Sequence, residues 1–469
     1  MNHKVIWAFV LTSTAAFMVT LDNLVVTTAL PVIRRDLHAG LGSLEWTVNA
    51  YTLTFAVLLL TGAALGDRFG RRRMLAIGLG IFTIASAAAA LAPSIGALDA
   101  ARAVQGLGGA IVMPLTLTLL SAAVPADKRG LALGAWGGVS GLAVAFGPVV
   151  GGAVVSGISW HWIFWLNVPI GIVLVPLVML RLDESHGPFG RLDLRGLALV
   201  STGLLGLVWG LVRGNALGWG STEIVATLSV GAALLAAFVV WELRAPAPML
   251  PMRFFRSRTF ALANVSALLM SFGMFGSIFL LSQFFQTVQG YSPLGSGLRI
   301  LPWTAMPMLV APIAGAFSDR IGGHRLIGAG LALQAAGLAW IAAVSTPTTS
   351  YAEFVLPFAI SGVGMGLFVA PVANVVLSAV RPAEEGQASG ANNAIRELGG
   401  VLGVAVLASV FAHYGGYRTD QTFTNGMVPA VYIGAILVAL GSVAAFAIRS
   451  RRRGEVIQVE AEPALELAA

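Results

Sequence analysis

Asp22 stands well inside an apolar run, flanked by Thr20-Leu21 and Asn23-Leu24-Val25-Val26. Inserting a charged aspartate at the centre of a membrane segment costs about 2.5–3.5 kcal/mol, so its presence asks for a reason. A carboxyl group between the two faces of a membrane can take a proton from one and release it to the other. The plainer alternative is a structural carboxylate that pairs with an arginine or caps backbone groups. Arg102 is the matching partner. It lies nine residues after Pro93, and Asp22 lies nine residues before Pro31. At 1.5 Å per residue both sit about 13 Å from similar landmarks on one side. An ion pair that forms and parts would make a coupling switch; the alternative is a packing arginine bonded to carbonyls. Glu397, next to Arg396 in an apolar stretch, is a second candidate for proton coupling; the alternative is a place near the interface, where Arg396 neutralises it. Asp99, Glu223 and Glu353 fall at the ends of apolar stretches, where water would solvate them.

Other chemistries lack their residues. The chain has no cysteine, its six histidines are scattered, and it carries no HExxH pattern. Thiol catalysis, zinc sites and disulfide frameworks are therefore not expected. No metal or cofactor is implied, and an enzymatic reading finds no nucleophile–base set at membrane depth. The glycine run Gln105-Gly106-Leu107-Gly108-Gly109-Ala110 does not read as a phosphate loop, because no strand precedes it. It offers a smooth packing face instead. Polar and aromatic residues within apolar segments could line a substrate path: Asn49, Tyr51, Gln105, Trp136, Phe272, Gln283, Gln286, Trp303 and Asn374.

A short signature occurs twice. Asp67-Arg68-Phe69-Gly70, followed by Arg71, returns as Asp319-Arg320-Ile321-Gly322, each between two long apolar stretches. Leu120–Ala126 and Leu377–Ala383 repeat at nearly the same offset. An acid and an arginine beside a glycine turn at a helix end can latch one conformation through pairing or helix-end contacts. Two like halves facing the same way suit a transporter that rocks about a central site. Gly147-Pro148 with Gly151 and Gly152 would kink a helix and let another backbone approach closely.

These residues must be held by membrane helices. The chain is 57% hydrophobic and 10% charged, with a mean hydropathy of +0.84. A water-soluble domain carries about 25% charged residues. Segments of about 20 apolar residues, the length that spans a bilayer, fall near 6–30, 44–65, 74–92, 97–122, 131–156, 162–181, 194–213, 222–242, 259–286, 296–317, 325–344, 352–380, 392–413 and 427–448. The first has no clear cleavage site and reads as a retained spanning helix rather than a signal peptide. The net charge of +7 sits in short clusters between spans, which reflects topology rather than nucleic-acid binding. Only Arg34, Arg35, Arg213 and Arg418 fall in loops on one side, and nearly all other basic residues lie on the opposite side. The positive-inside rule then makes both termini cytoplasmic.

Taken together, the chain resembles the major facilitator superfamily, within it the fourteen-span drug:proton antiporter branch. The matching stretches are Leu21–Pro31, Leu65–Arg72, Leu98 through Arg102 to Gln105-Gly106 and Ala110, Gly147-Pro148 with Gly151-Gly152, and the Trp-rich Trp160–Gly171. Ala63 and Ala143 stand where glycine is usual, and His161 where arginine is usual. The resemblance implies an all-α integral membrane protein of fourteen transmembrane helices, with two parallel six-helix bundles and an inserted two-helix hairpin. The expected divisions are 1–185, the inserted hairpin 186–252, 253–448, and a cytoplasmic tail 449–469. It implies proton-coupled export of amphipathic drugs, dyes or antibiotics across a bacterial cytoplasmic membrane, with binding between the bundles. The alternative is an exporter dedicated to one endogenous metabolite or self-made antibiotic. By position, Asp22 would be the protonation site, Arg102 its partner, and Asp67 and Arg68 the latch. The partners are a small molecule, protons and the lipid bilayer, and one chain would suffice for function.

Overall fold

Apolar stretches this long, with so few charges to solvate, satisfy their backbone groups internally as helices. The structure is a computed structural model and describes residues 3–125, 129–186, 193–246, 248–381 and 384–448. The first half contains α1 (His3–Asp36), α2 (Leu41–Phe69), α3 (Arg71–Ala90), α4 (Ile95–Ala123), α5 (Arg129–Gly157) and α6 (Trp162–Arg181, interrupted at Leu166). Next come α7 (Leu194–Leu217) and α8 (Thr222–Glu242). The second half contains α9 (Arg258–Thr287), α10 (Pro293–Ile321), α11 (Gly323–Val344), α12 (Tyr351–Ser378), α13 (Glu385–Tyr414) and α14 (Asp420–Phe446). All fourteen are long and apolar enough to cross a membrane. With an even number of spans, α1 begins and α14 ends on one face, here called the terminal side.

The two halves pair their helices alike. In the first, α1 packs on α5, α2 on α4, and α3 on α4 and α6; in the second, α9 packs on α13, α10 on α12, and α11 on α12 and α14. The repeated signature has one backbone shape in both. Gly70 (φ 99°, ψ 123°) and Gly322 (φ 96°, ψ 118°) each end one helix and begin the next. That conformation strains any residue with a side chain, which is why a glycine stands at both corners.

The halves touch along α5–α10 and α2–α13. The hairpin α7–α8 zips on small residues. A Cβ on Gly203 would meet the Gly231 carbonyl at 3.1 Å, and one on Gly206 the Gly231 Cα at 3.3 Å. Through α7 it leans on both halves. Trp209 packs on Trp46 of α2, and Asn215 donates to the Ser409 carbonyl of α13 at 2.6 Å. The second half carries an aromatic core in which Phe284, Phe285, Phe354, Phe358 and Trp303 stack together. The tail 449–469, with Arg451 to Arg453, lies outside the described residues.

Candidate functional site

Asp22 and Arg102 meet. Both side chains are fully enclosed, with Arg102 Nη1 donating to Asp22 Oδ2 at 2.5 Å. A cage of neutral groups closes around them. Gln105 Nε2 and Asn167 Nδ2 donate to Asp22 Oδ1 at 2.8 and 2.7 Å. Arg102 Nη1 also donates to Gln105 Oε1 at 2.7 Å, and its Nε to the Thr47 carbonyl at 3.2 Å. Ser86 Oγ accepts from Gln105 at 2.8 Å. The guanidinium lies over the Tyr51 ring, 4.2 Å from its centre, while the Tyr51 hydroxyl donates to the Val19 carbonyl at 3.2 Å. Helices α1, α2, α3, α4 and α6 therefore all contribute. A buried pair with its remaining lone pairs satisfied is tolerated; leaving one partner alone is not.

Asp22 points into the interior of the first bundle, where Arg102 and the side-chain amides of Gln105 and Asn167 satisfy it. Sequence reading missed Asn167 and Ser86. The signal for Asn167 was an amide opening the apolar part of α6; for Ser86 there was none.

The space between the halves is a cavity of about 1660 Å³ that runs from mid-membrane to the terminal side. It exceeds a typical drug-sized pocket of about 300–1,000 Å³. Its walls include Met113, Met270, Met274, Met308 and Met365, with Asn23 and Asn393 as polar points. Methionine is flexible and polarisable, so such walls repack around varied shapes. Tyr51 is common to cage and cavity, being among the residues that line the cavity and carrying Arg102 over its ring.

The far side is shut. Ser282 Oγ and Gln286 Nε2 of α9 donate to the Thr27 and Thr28 carbonyls of α1 at 3.1 and 2.9 Å. Arg34 lies on the Tyr417 ring at 3.4 Å, and the Tyr417 hydroxyl donates to Gln283 Oε1 at 2.5 Å. Burial raises the Tyr417 phenol above its ordinary range, which keeps that donor proton in place. Gly147 and Gly151 admit α1: a Cβ on Gly147 would lie 2.7 Å from Leu24 Cβ, and one on Gly151 2.7 Å from the Val25 carbonyl. Gly152 faces α10, where a Cβ would lie 2.6 Å from Leu294 Cα. A Cβ on Gly297 would fall 2.6 Å from the Pro148 carbonyl carbon.

At the terminal side the first copy of the repeated signature pairs within its own loop. Asp67 pairs with Arg71 of its own loop at 2.7 Å, and both line the cavity mouth. Glu184, which sequence reading passed over, accepts from the Arg72 and Arg73 amides at 2.8 and 3.2 Å and caps the start of α3. Arg68 lies near its neighbour Phe69, and Arg320 is exposed. The side chain of Asp319 lies outside the described residues.

Among the path candidates, Tyr51 and Trp136 line the cavity. Gln105 belongs to the Asp22 cage, and Gln283 and Gln286 to the far-side seal. Asn49, Phe272 and Trp303 are buried within their bundles, and Asn374 is exposed; none of these four is on the wall. Apolar segments cannot reveal which face of a helix meets a neighbour and which meets a void, so polarity alone misassigned them. Glu397 does line the cavity, 8% exposed, with Oε2 unpartnered and Oε1 3.8 Å from Arg396. Because α13 begins at Glu385, Glu397 lies about 18 Å along the helix, not near an interface. Asp99 is half-buried and accepts from Thr47 Oγ1 at 2.8 Å, rather than being solvated.

A sequence model of the Major Facilitator Superfamily matches residues 12–404 and 300–465. The multidrug resistance protein Stp of Mycobacterium tuberculosis is 36% identical over 414 residues, 88% of this chain and 77% of that protein. The tetracenomycin C resistance and export protein of Streptomyces glaucescens is 34% identical over 416 residues, with the same two shares. The crystal structure of a bacterial homologue of the human lysosomal transporter Spinster superposes with a TM-score of 0.69 at 16% identity, covering 95% of this chain and 97% of that one.

Proposed function

Since the chain belongs to the Major Facilitator Superfamily, we propose that it exports amphipathic drugs, dyes or antibiotics by alternating access, driven by protons that pass through Asp22. Relatives named for multidrug resistance and antibiotic export support the direction and the cargo class. The basic residues concentrated on the terminal side support placing that side in the cytoplasm of a bacterial inner membrane. A single chain holds both bundles and the cavity between them, which supports a working monomer.

The observation that carries the reading is the enclosed Asp22–Arg102 pair beside a large methionine-lined cavity, with Tyr51 shared by both. With the cavity open to the terminal side, Asp22 is paired, as expected after its proton has left toward the cytoplasm. Cargo then enters from the same side. In the opposite state a proton from outside neutralises Asp22 and frees Arg102, and cargo leaves. The proton and cargo occupy separate spaces and communicate through Tyr51, α1 and α4. Asp67 and Arg71, held to each other in this state, are the groups available to grip the second half when the terminal side closes. Glu397, paired with Arg396 through Oε1 and left with a free Oε2 toward the cavity, serves as a second proton or cation acceptor.

The test is uphill efflux in proteoliposomes over a chemically varied panel, with Asp22→Asn beside wild type. The expected result is pumping of several unrelated compounds by wild type and none by the variant. Unchanged uphill transport by Asp22→Asn would remove Asp22 from the mechanism. Activity on a single compound would favour a dedicated exporter, a reading supported by the relative named for tetracenomycin alone.

A further inference from the structure

The inserted hairpin ends, on the terminal side, in two carboxylates that the cycle above does not use. Asp193 precedes α7 and Glu242 closes α8, and both line the cavity mouth. The Gly196 amide donates to Asp193 Oδ1 at 2.8 Å, and the Trp241 indole N–H donates to both Asp193 oxygens at 2.8 and 2.9 Å. Glu242 is 3% exposed; its Oε2 accepts from the Leu250 amide at 2.8 Å, and its Oε1 has no partner. A Cβ built on Gly196 would press on Asp193 Oδ2 and would lie 2.6 Å from Glu242 Oε1. The two oxygens therefore converge over that glycine. Among the described residues, neither acid forms an ion pair.

Two converging carboxylates served only by neutral donors repel each other until a proton or a cation comes between them. A buried, unpartnered oxygen adds to that demand. The surroundings decide which cation fits. Leu194, Leu197, Leu243, Pro248 and Met249 line the same mouth and offer hydrocarbon to the flanks of an arriving group; Arg253 and Arg256 line it too, Arg253 being paired with Glu384 at 2.6 Å. Calcium would want six to eight oxygens, and no group of three or more metal-binding side chains occurs among the described residues.

We propose that Asp193 and Glu242 form a capture site for the cationic head of an amphipathic molecule, through which the inserted hairpin selects positively charged cargo at the cavity mouth. This rests on the export reading, so binding and transport are measured separately. Binding of dodecylammonium, an amphipathic cation with an N–H donor head, to the purified protein is followed by calorimetry for wild type, Asp193→Asn and Glu242→Gln. Transport in proteoliposomes compares that cation with an uncharged member of the panel. The expected result is weaker cation binding, and a KM for the cation raised about tenfold, the loss of one charge-assisted contact. The kcat, the KM for the uncharged compound and thermal unfolding should stay as in wild type. Unaltered cation binding in both variants overturns the proposal. So does an equal loss for charged and uncharged cargo, which would mark Asp193 and Glu242 as structural ends of the hairpin. A wild type that binds the cation but moves nothing would defeat the export reading and leave the calorimetry to decide on this site.

Discussion

Replacing Asp22 by asparagine while keeping Arg102 would strand a guanidinium that the first bundle fully encloses. Arg102 would retain only neutral acceptors, Gln105 Oε1, the Thr47 carbonyl and the amide oxygen of the new side chain, and the Tyr51 ring. Breaking a buried pair from one side costs about 3–5 kcal/mol. Arg102→Gln should fall toward the lower end, since Gln105 and Asn167 still donate to Asp22. The double variant leaves a neutral cage, so its loss should be smaller than the sum of the singles by about 3 kcal/mol. Denaturant unfolding of the purified protein in detergent reads all four stabilities. Additive losses would show that the two charges do not feel each other, and the cage argument would fall.

The same magnitude bears on transport. One proton crossing 200 mV supplies about 4.6 kcal/mol, at about 2.3 per 100 mV. That is comparable with the cost of leaving Arg102 without its partner, so the proposed cycle asks no more of one proton than the gradient supplies. The double variant should thus regain stability without regaining uphill efflux. A double variant that pumps would refute the coupling.

Tyr51→Ala removes both the ring beneath Arg102 and the wall between cage and cavity. The ring contact is worth about 2 kcal/mol when desolvated, and proteoliposomes should show a proton leak without cargo, read by a pH-sensitive dye. Gly152→Val would wedge α5 from α10 and disfavour far-side closure. The chain has no cysteine, so Ser389→Cys on the cavity wall can report this as slower labelling by an impermeant thiol reagent. Gly70→Ala should cost about 1–3 kcal/mol from its positive φ, and more than Gly322→Ala. A Cβ at 70 meets the Glu184 carboxylate at 2.8 Å, whereas one at 322 meets the His324 ring at 3.1 Å, which can turn. Paired thermal melts check the order.

The fourteen spans were legible because membrane helices write their length in unbroken apolar residues. The span placed at 97–122 is Ile95–Ala123, and that at 259–286 is Arg258–Thr287. The error at α13 is informative: Glu385, Gln387 and Ser389 lowered the hydropathy of its first turns, where Gln387 and Ser389 line the cavity, so its start was placed seven residues late. The pairing of Asp22 with Arg102 was legible from matched depth along two helices. The remaining cage was not, because depth says nothing about rotation about a helix axis. Rotation also hid that Gln105, Gln283 and Gln286 all turn to protein partners and not to the void. Asp193 and Glu242 escaped notice because each lies at a helix end, where a lone acid needs no explanation until the fold brings two together.

Keeping the acid in one compartment and the passenger in another, with Tyr51 as the partition, has an electrical consequence. A transporter whose cargo displaced the proton from a shared carboxylate would be tied to cargo of matching charge. Under the proposed cycle, a neutral molecule and a monovalent cation would each be exchangeable for one H⁺. The first exchange moves net charge and draws on voltage. The second is electrically silent and runs on the pH difference alone, about 1.4 kcal/mol per unit. The passenger, not the protein, then sets which half of the ion gradient is spent.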